Sequence, residues 1–181
     1  MSADSPLFGS VNTAQFLRDY WQQQALLFKN ALPDAVDLVG GDDLAGISCE
    51  PDGEARLVIG NNDEDHWVSE QGPFSARRFK NLPEQGWTLL AQTVDQWIPE
   101  VAELLEHFTF LPRWRIDDVM ISYATLGGGV GPHFDQYDVF LLQTSGEREW
   151  RLGQRCDDNS SLREDCNLKL LTEFNETERH V

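Results

Sequence analysis

GGGVGPHFDQYDVFLLQTSGEREWRL, residues 127–152, is the stretch whose reading decides the fold. A glycine-rich turn leads through His133-Phe134-Asp135 into an apolar run, a Ser145-Gly146 turn and an arginine set among aromatic and aliphatic neighbours. Residues i and i+2 of a strand point to the same face. A strand that begins at His133, once Gly131-Pro132 has closed the loop, projects the His133 imidazole and the Asp135 carboxylate side by side toward one interior. That is two-thirds of a facial triad of metal ligands.

Working outward, the apolar run 139–142 reads as a continuation of that strand, and 147–152 reads as its return. On the return, Arg148, Trp150 and Leu152 share one face, while Glu147, Glu149 and Arg151 share the other. The second face is charged and suits solvent. The first buries a guanidinium beside Trp150, and a buried arginine needs an anionic partner. A ligand carboxylate held bidentately is one such partner, and a protein carboxylate is another. Upstream, 117–124 alternates as a strand, with Val119, Ile121 and Tyr123 on one face and Asp118, Met120 and Ser122 on the other.

The rest of the chain reads as support. Asn12 or Thr13 caps a helix carrying Phe16, Leu17, Tyr20 and Trp21 at helical spacing. Residues 25–28 form a short apolar run expected to be a first strand, and a short helix is expected from Gly40-Gly41-Asp42 through Ile47. Strands are expected at 56–59 and 66–68, with a polar turn at 61–65 between them. Leu90, Val94 and Trp97 repeat at three and four residues, so 87–108 is expected to be helical, with Pro99 starting a second helix.

Composition bounds the function. A chain of 181 residues, 40% hydrophobic and 10% aromatic, suffices for one domain with a proper core. Its 31 acidic residues against 14 Lys and Arg give a net charge of −17, which repels a phosphate backbone and leaves direct nucleic-acid binding disfavoured. The same field favours a basic protein or peptide partner. There is no apolar run of membrane-spanning length, and the N-terminal residues lack the pattern of a secretory signal, so a cytoplasmic protein with no membrane association is expected. The three cysteines, Cys49, Cys156 and Cys166, lack CxxC spacing and read as unpaired thiols.

WRIDDVMISYATLGGGVGPHFDQYDVFLLQTSGEREWRLG, residues 114–153, resembles the JmjC-type cupin oxygenases, specifically the bacterial YcfD-like ribosomal oxygenases that hydroxylate an arginine of a large-subunit ribosomal protein. The likeness joins three blocks in one order, and the QGPF motif at 71–74 extends it. The resemblance implies an α+β, mainly β chain. Its core would be a double-stranded β-helix of the cupin/JmjC jelly-roll type, with N-terminal helices. Residues 1–181 would form a single domain, with 1–115 as support and 116–181 as the first part of the catalytic β-helix.

The resemblance also implies a dioxygenase that uses Fe(II), 2-oxoglutarate and O₂. By motif position, His133 and Asp135 would be metal ligands, Arg148 would take the far carboxylate of 2-oxoglutarate, and Ser122 would assist it. Asp118 and Tyr137 would cradle a substrate arginine, and the partner would be a basic ribosomal protein. In the family a third ligand, a histidine, lies near the end of a later strand, and a C-terminal region helps homodimerisation; neither segment is seen before Val181. The chain is therefore expected to stop before the last core strands, either as a fragment of a longer oxygenase or as a short form. His180, in the polar run 176–179, is expected to be a solvated terminal residue. A non-catalytic cupin-like protein-binding module, lacking a complete metal site, is the alternative reading.

Overall fold

The computed structural model describes residues 6–7, 11–61 and 66–181. Its centre is a four-stranded antiparallel sheet of β3 (Ala55–Asn61), β4 (His66–Gln71), β5 (Trp87–Ala91) and β6 (Ile121–Ala124), in the order β4-β3-β5-β6. Two small sheets flank it in sequence: β1 (Pro6–Leu7) with β2 (Val11–Asn12), and β7 (Trp150–Leu152) with β8 (Glu178–His180). Among the described residues the α-helices are α1 (Thr13–Asp19), α2 (Gly41–Ile47), α3 (Ala76–Lys80) and α4 (Pro99–Glu103), joined by short 3-10 turns. The expected turn at 61–65 falls, in its residues 62–65, outside the described residues.

Alternation along the strands gives the sheet two different faces. Leu57 pairs with Leu89 and then Tyr123, and Ala55 with Ala91 and then Ile121. This face packs on Leu44 and Ile47 of α2, on Val94 and on Val101 of α4, and Leu57, Val94 and Val101 have no solvent exposure. On the opposite face Val58, Leu90 and Trp67 pack with Leu168 and Leu170. Beyond those residues, in the same direction, a cross-strand row runs Gln71, Arg56, Leu90, Ser122. The helical face of the core is closed, and the far end of the other face is open and polar.

Local chemistry explains the elements. Asn12 Oδ1 accepts the Gln15 N–H at 2.7 Å, so the first helix starts where its cap was expected. Pro99 opens α4 as expected. Strand β5 corrects the helical reading of 87–98: Thr88, Leu89, Leu90 and Ala91 are all buried, and a central strand covered on both faces shows a continuous apolar run with no alternation to betray it. Helical structure begins only with a single turn at Val94–Gln96. The expected strand at 25–28 is irregular, and Phe28 instead joins an aromatic cluster through Phe16, with ring centroids 6.3 Å apart.

The expected strand from His133 through 142 is also irregular. A strand forms only beside a ladder partner, and among the described residues none pairs with this segment. Phe140 fixes it instead, lying 4.8 Å from Phe108 and stacked on Trp21 at 5.8 Å, while Gln22 Nε2 donates to Asp138 Oδ2 at 2.8 Å. Val139, Leu141 and Leu142 are left exposed. The return strand is shorter than expected, Trp150–Leu152, and pairs with β8. His180 thus lies in a strand opposite Trp150, with Nε2 on Glu178 Oε1 at 2.7 Å, and is not the solvated terminal residue expected. Its polar neighbours hid a short strand that has one face in solvent.

A bidentate pair ties α3 to β4: Arg78 Nε and Nη2 donate to Glu70 Oε2 and Oε1 at 2.8 and 2.7 Å. The hydrogen bonds from Arg78 hold the Glu70 carboxyl below its ordinary value. A lowered folded-state pKa contributes stability that is present above the unfolded value, near 4.3, and is lost as pH falls through the folded value. Arg78→Ala is therefore expected to lower stability by up to about 1 kcal/mol at neutral pH, since both side chains are partly solvated. It should also flatten the loss of stability below about pH 4. Thermal melts of both proteins from pH 3 to pH 7 check this, and parallel curves would contradict it.

Candidate active site

The approach to the site is built by close packing. Gly131 has φ +74°, and a Cβ there would meet Leu170 Cδ2 at 2.8 Å and Trp67 Cε2 at 3.3 Å, so only glycine fits. The Leu171 N–H donates to the Pro132 carbonyl at 2.8 Å, which pins the loop to the 168–171 segment. His133 follows at once, and its Nδ1 lies 2.9 Å from the Gly131 carbonyl. With the proton on Nδ1, that contact is a hydrogen bond and Nε2 carries the free lone pair.

Nε2 of His133 lies 3.9 Å from Oδ2 of Asp135. The spacing is beyond hydrogen-bond reach, so both donors are free to converge on a third body. Each side chain is about two-fifths exposed, 40% and 38%. The i, i+2 relation thus brings the two together without the strand that was expected to do so. An imidazole nitrogen held in one tautomer by a backbone carbonyl, beside a carboxylate, is a donor set that fits a divalent transition-metal ion. Among the described residues, no group of three His, Cys, Asp or Glu that could hold a metal forms.

Around this pair the charges cluster. Asp135, Asp118 and Asp117 together hold the Tyr137 phenol above its ordinary pKa, Asp135 most strongly, while Arg56 acts in the other direction. Asp117 and Arg56, which the sequence reading did not single out, thus act on the same phenol as Asp135 and Asp118. One oxygen of Asp118 accepts the Thr93 N–H at 2.7 Å, which fixes the carboxylate just before the strand β6. Tyr137 is largely exposed. Ser122 lies in the same cross-strand row as Arg56.

Arg148 is half-buried, and burial pushes its guanidinium pKa down. Its Cζ sits 5.6 Å from the centre of the Trp150 ring, a cation–π contact. Among the described residues no carboxylate pairs with it. The shared face of Arg148 and Trp150 is as expected, and the structure draws no direct contact between Arg148 and the His133–Asp135 pair. Arg56 escaped the sequence reading although its strand did not. A lone cation inside the run Ala55-Arg56-Leu57-Val58-Ile59 was the available signal, and only the pairing of β3 with β4 and β5 shows what it faces.

Residues 103–181 match the JmjC domain. The chain is 40% identical over 175 residues to a probable ribosomal oxygenase of Haemophilus influenzae, covering 97% of this chain and 43% of that protein. It is 40% identical over 146 residues to the ribosomal protein uL16 3-hydroxylase of Escherichia coli, covering 81% of this chain and 38% of that protein. The chain therefore spans about two-fifths of the length of these relatives. The crystal structure of E. coli YcfD superposes with a TM-score of 0.84 at 36% identity, covering 94% of this chain and 45% of that one. A structure of the same E. coli ribosomal oxygenase in complex with cobalt and 2-oxoglutarate gives a TM-score of 0.75 at 36% identity, covering 93% and 44%. In sequence and in its α+β, strand-rich fold, the chain is similar to the YcfD-like ribosomal oxygenases, and its residues 103–181 match the JmjC domain of cupin folds.

Proposed function

We propose that the chain carries part of the catalytic domain of a 2-oxoglutarate-dependent dioxygenase, one that hydroxylates an arginine of a basic ribosomal protein in the cytoplasm. The observation that carries this reading is the convergence of His133 Nε2 and Asp135 Oδ2, with the imidazole tautomer set by the Gly131 carbonyl. These two would hold Fe(II). When bound, Fe(II) with 2-oxoglutarate supplies oxidation in which one atom of O₂ ends in succinate and the other in a hydroxyl, with loss of carbon dioxide.

The remaining roles belong to side chains. Arg148, a cation with no carboxylate partner among the described residues, suits the far carboxylate of 2-oxoglutarate, with Ser122 assisting. Asp118 has one oxygen held by Thr93, and its other can accept from a substrate guanidinium. The Tyr137 phenol, whose pKa the Asp135 carboxylate, burial and the Asp118 and Asp117 carboxylates raise, offers a hydrogen-bond donor and an aromatic edge. We assign 1–115 to support and 116–181 to the first part of the catalytic β-helix, and the homodimer to the full-length protein.

The name of the E. coli relative makes uL16 the substrate to try first. The full-length protein should form succinate from 2-oxoglutarate only with Fe(II), and faster with an arginine-containing uL16 peptide, which should gain one oxygen atom in mass. Asp118→Asn is expected to weaken peptide binding about tenfold, the loss of a charged hydrogen bond, with 2-oxoglutarate affinity unchanged. Succinate formation without a change in the mass of the peptide would contradict the substrate assignment. A second reading is a protein-binding module without turnover. It predicts peptide binding that neither chelator nor His133→Ala disturbs, with no succinate at all.

A further inference from the structure

An open cleft of about 560 Å³ lies at the polar end of the sheet face that carries Ser122. Arg56, Gln71, Leu90 and Gln92 line it, with Asp52 and Glu54 at its lip. Three of these stand in one row: Arg56 pairs with Gln71 on one side and with Leu90 on the other, and Leu90 pairs with Ser122. Gln92 follows the end of strand β5 and lines the same cleft, and its N–H donates to the Glu54 carbonyl at 2.9 Å. On the next strand Ser122 pairs with Leu90, and Met120 and Asp118 come just before that strand begins at Ile121. Gln92 of the cleft adjoins Thr93, whose N–H donates to Asp118 Oδ2 at 2.7 Å, so the cleft lies beside the carboxylate assigned above to the substrate arginine.

The lining is unusual for so acidic a chain. Among the described residues the Arg56 guanidinium has no hydrogen-bond or ion-pair partner, although it is only part-exposed and stands near Asp52 and Glu54 in sequence. A forked donor flanked by two primary amides, each both donor and acceptor, matches the alternating C=O and N–H groups of an extended polypeptide. It does not match a second basic side chain, which Arg56 would repel.

We propose that Arg56, Gln71 and Gln92 form a subsite for the main chain of the peptide substrate, next to the position of its target arginine, with Arg56 donating to backbone carbonyls. The subsite selects against a Lys or Arg at the residue seated there, so specificity is set by a repulsive element as well as by the acidic pocket. This rests on the protein-substrate reading of the site.

The test is direct binding of the fluorescein-labelled uL16 peptide to the full-length protein by anisotropy, with chelator present so that turnover plays no part. Arg56→Ala and Gln92→Ala are each expected to weaken binding about three- to tenfold, the loss of one or two hydrogen bonds. Arg56→Ala should bind peptides with Lys substituted beside the target arginine more tightly than the unchanged protein does, at one substituted position at least. A fold check by thermal melting accompanies each variant. If the unchanged protein binds and both variants match it with no relief for any Lys-substituted peptide, the subsite is overturned and the hydroxylase reading stands. If the unchanged protein does not bind the peptide, both fall together.

Discussion

Arg148→Met is expected to weaken 2-oxoglutarate binding at least thirtyfold while leaving the protein as stable as before or slightly more so. The two halves of that result come from one fact. Arg148 is half-buried, desolvation disfavours its charged form, and among the described residues no carboxylate compensates. Contact with Trp150 returns only about 0.5–2 kcal/mol. An apolar side chain of similar length fills the same space without the charge, so stability should rise by up to about 1 kcal/mol once solvent screening is allowed for. Removing one partner of a desolvated carboxylate pair, by contrast, costs about 2–5 kcal/mol of binding, which sets the thirtyfold lower bound. Titration of 2-oxoglutarate into the Co(II)-loaded full-length protein, beside a melting curve, checks both halves. A lower melting temperature with unchanged affinity would mean that Arg148 pairs with a protein carboxylate, and the cosubstrate role would be lost.

Much of this was legible in the chain, and the reasons differ by residue. The first helix announced itself through Asn12 and its spaced aromatics, and Pro99 marked the start of α4, because caps and proline act within a few residues. His133 and Asp135 were legible because they are two residues apart, and their side chains converge even though the strand invoked to explain it is absent. Strand β5 was not legible: both its faces are buried, so its apolar residues fit a helical period as well as a strand. Strand β8 was hidden by its polar sequence. Arg56 was missed for a third reason. Its importance lies entirely in pairings with Gln71 and Leu90, fifteen and thirty-four residues away, which no local pattern encodes.

His133→Ala is expected to have the largest effect on chemistry and almost none on peptide capture. Loss of an outer-shell partner typically costs about 10–100-fold in metal affinity, and loss of a ligand itself should exceed that. Co(II) binding, read by its visible absorption, should therefore weaken by more than a hundredfold, and Fe(II)-dependent succinate should fall to background. Asp135→Asn keeps an oxygen donor and loses the charge, so it should be the milder lesion in binding. Peptide affinity depends in this account on Asp118, Tyr137, Arg56 and the two glutamines, none of which uses the imidazole, so it should survive in both variants. Gly131 links the two halves of the argument. Its φ of +74° and its contact with Leu170 set the carbonyl that fixes the imidazole tautomer, so Gly131→Ala should weaken Co(II) without removing any ligand. If His133→Ala binds Co(II) as tightly as the unchanged protein, the ion sits elsewhere and the His133–Asp135 pair is structural. If metal binding is lost while peptide binding holds, the two activities are physically separate.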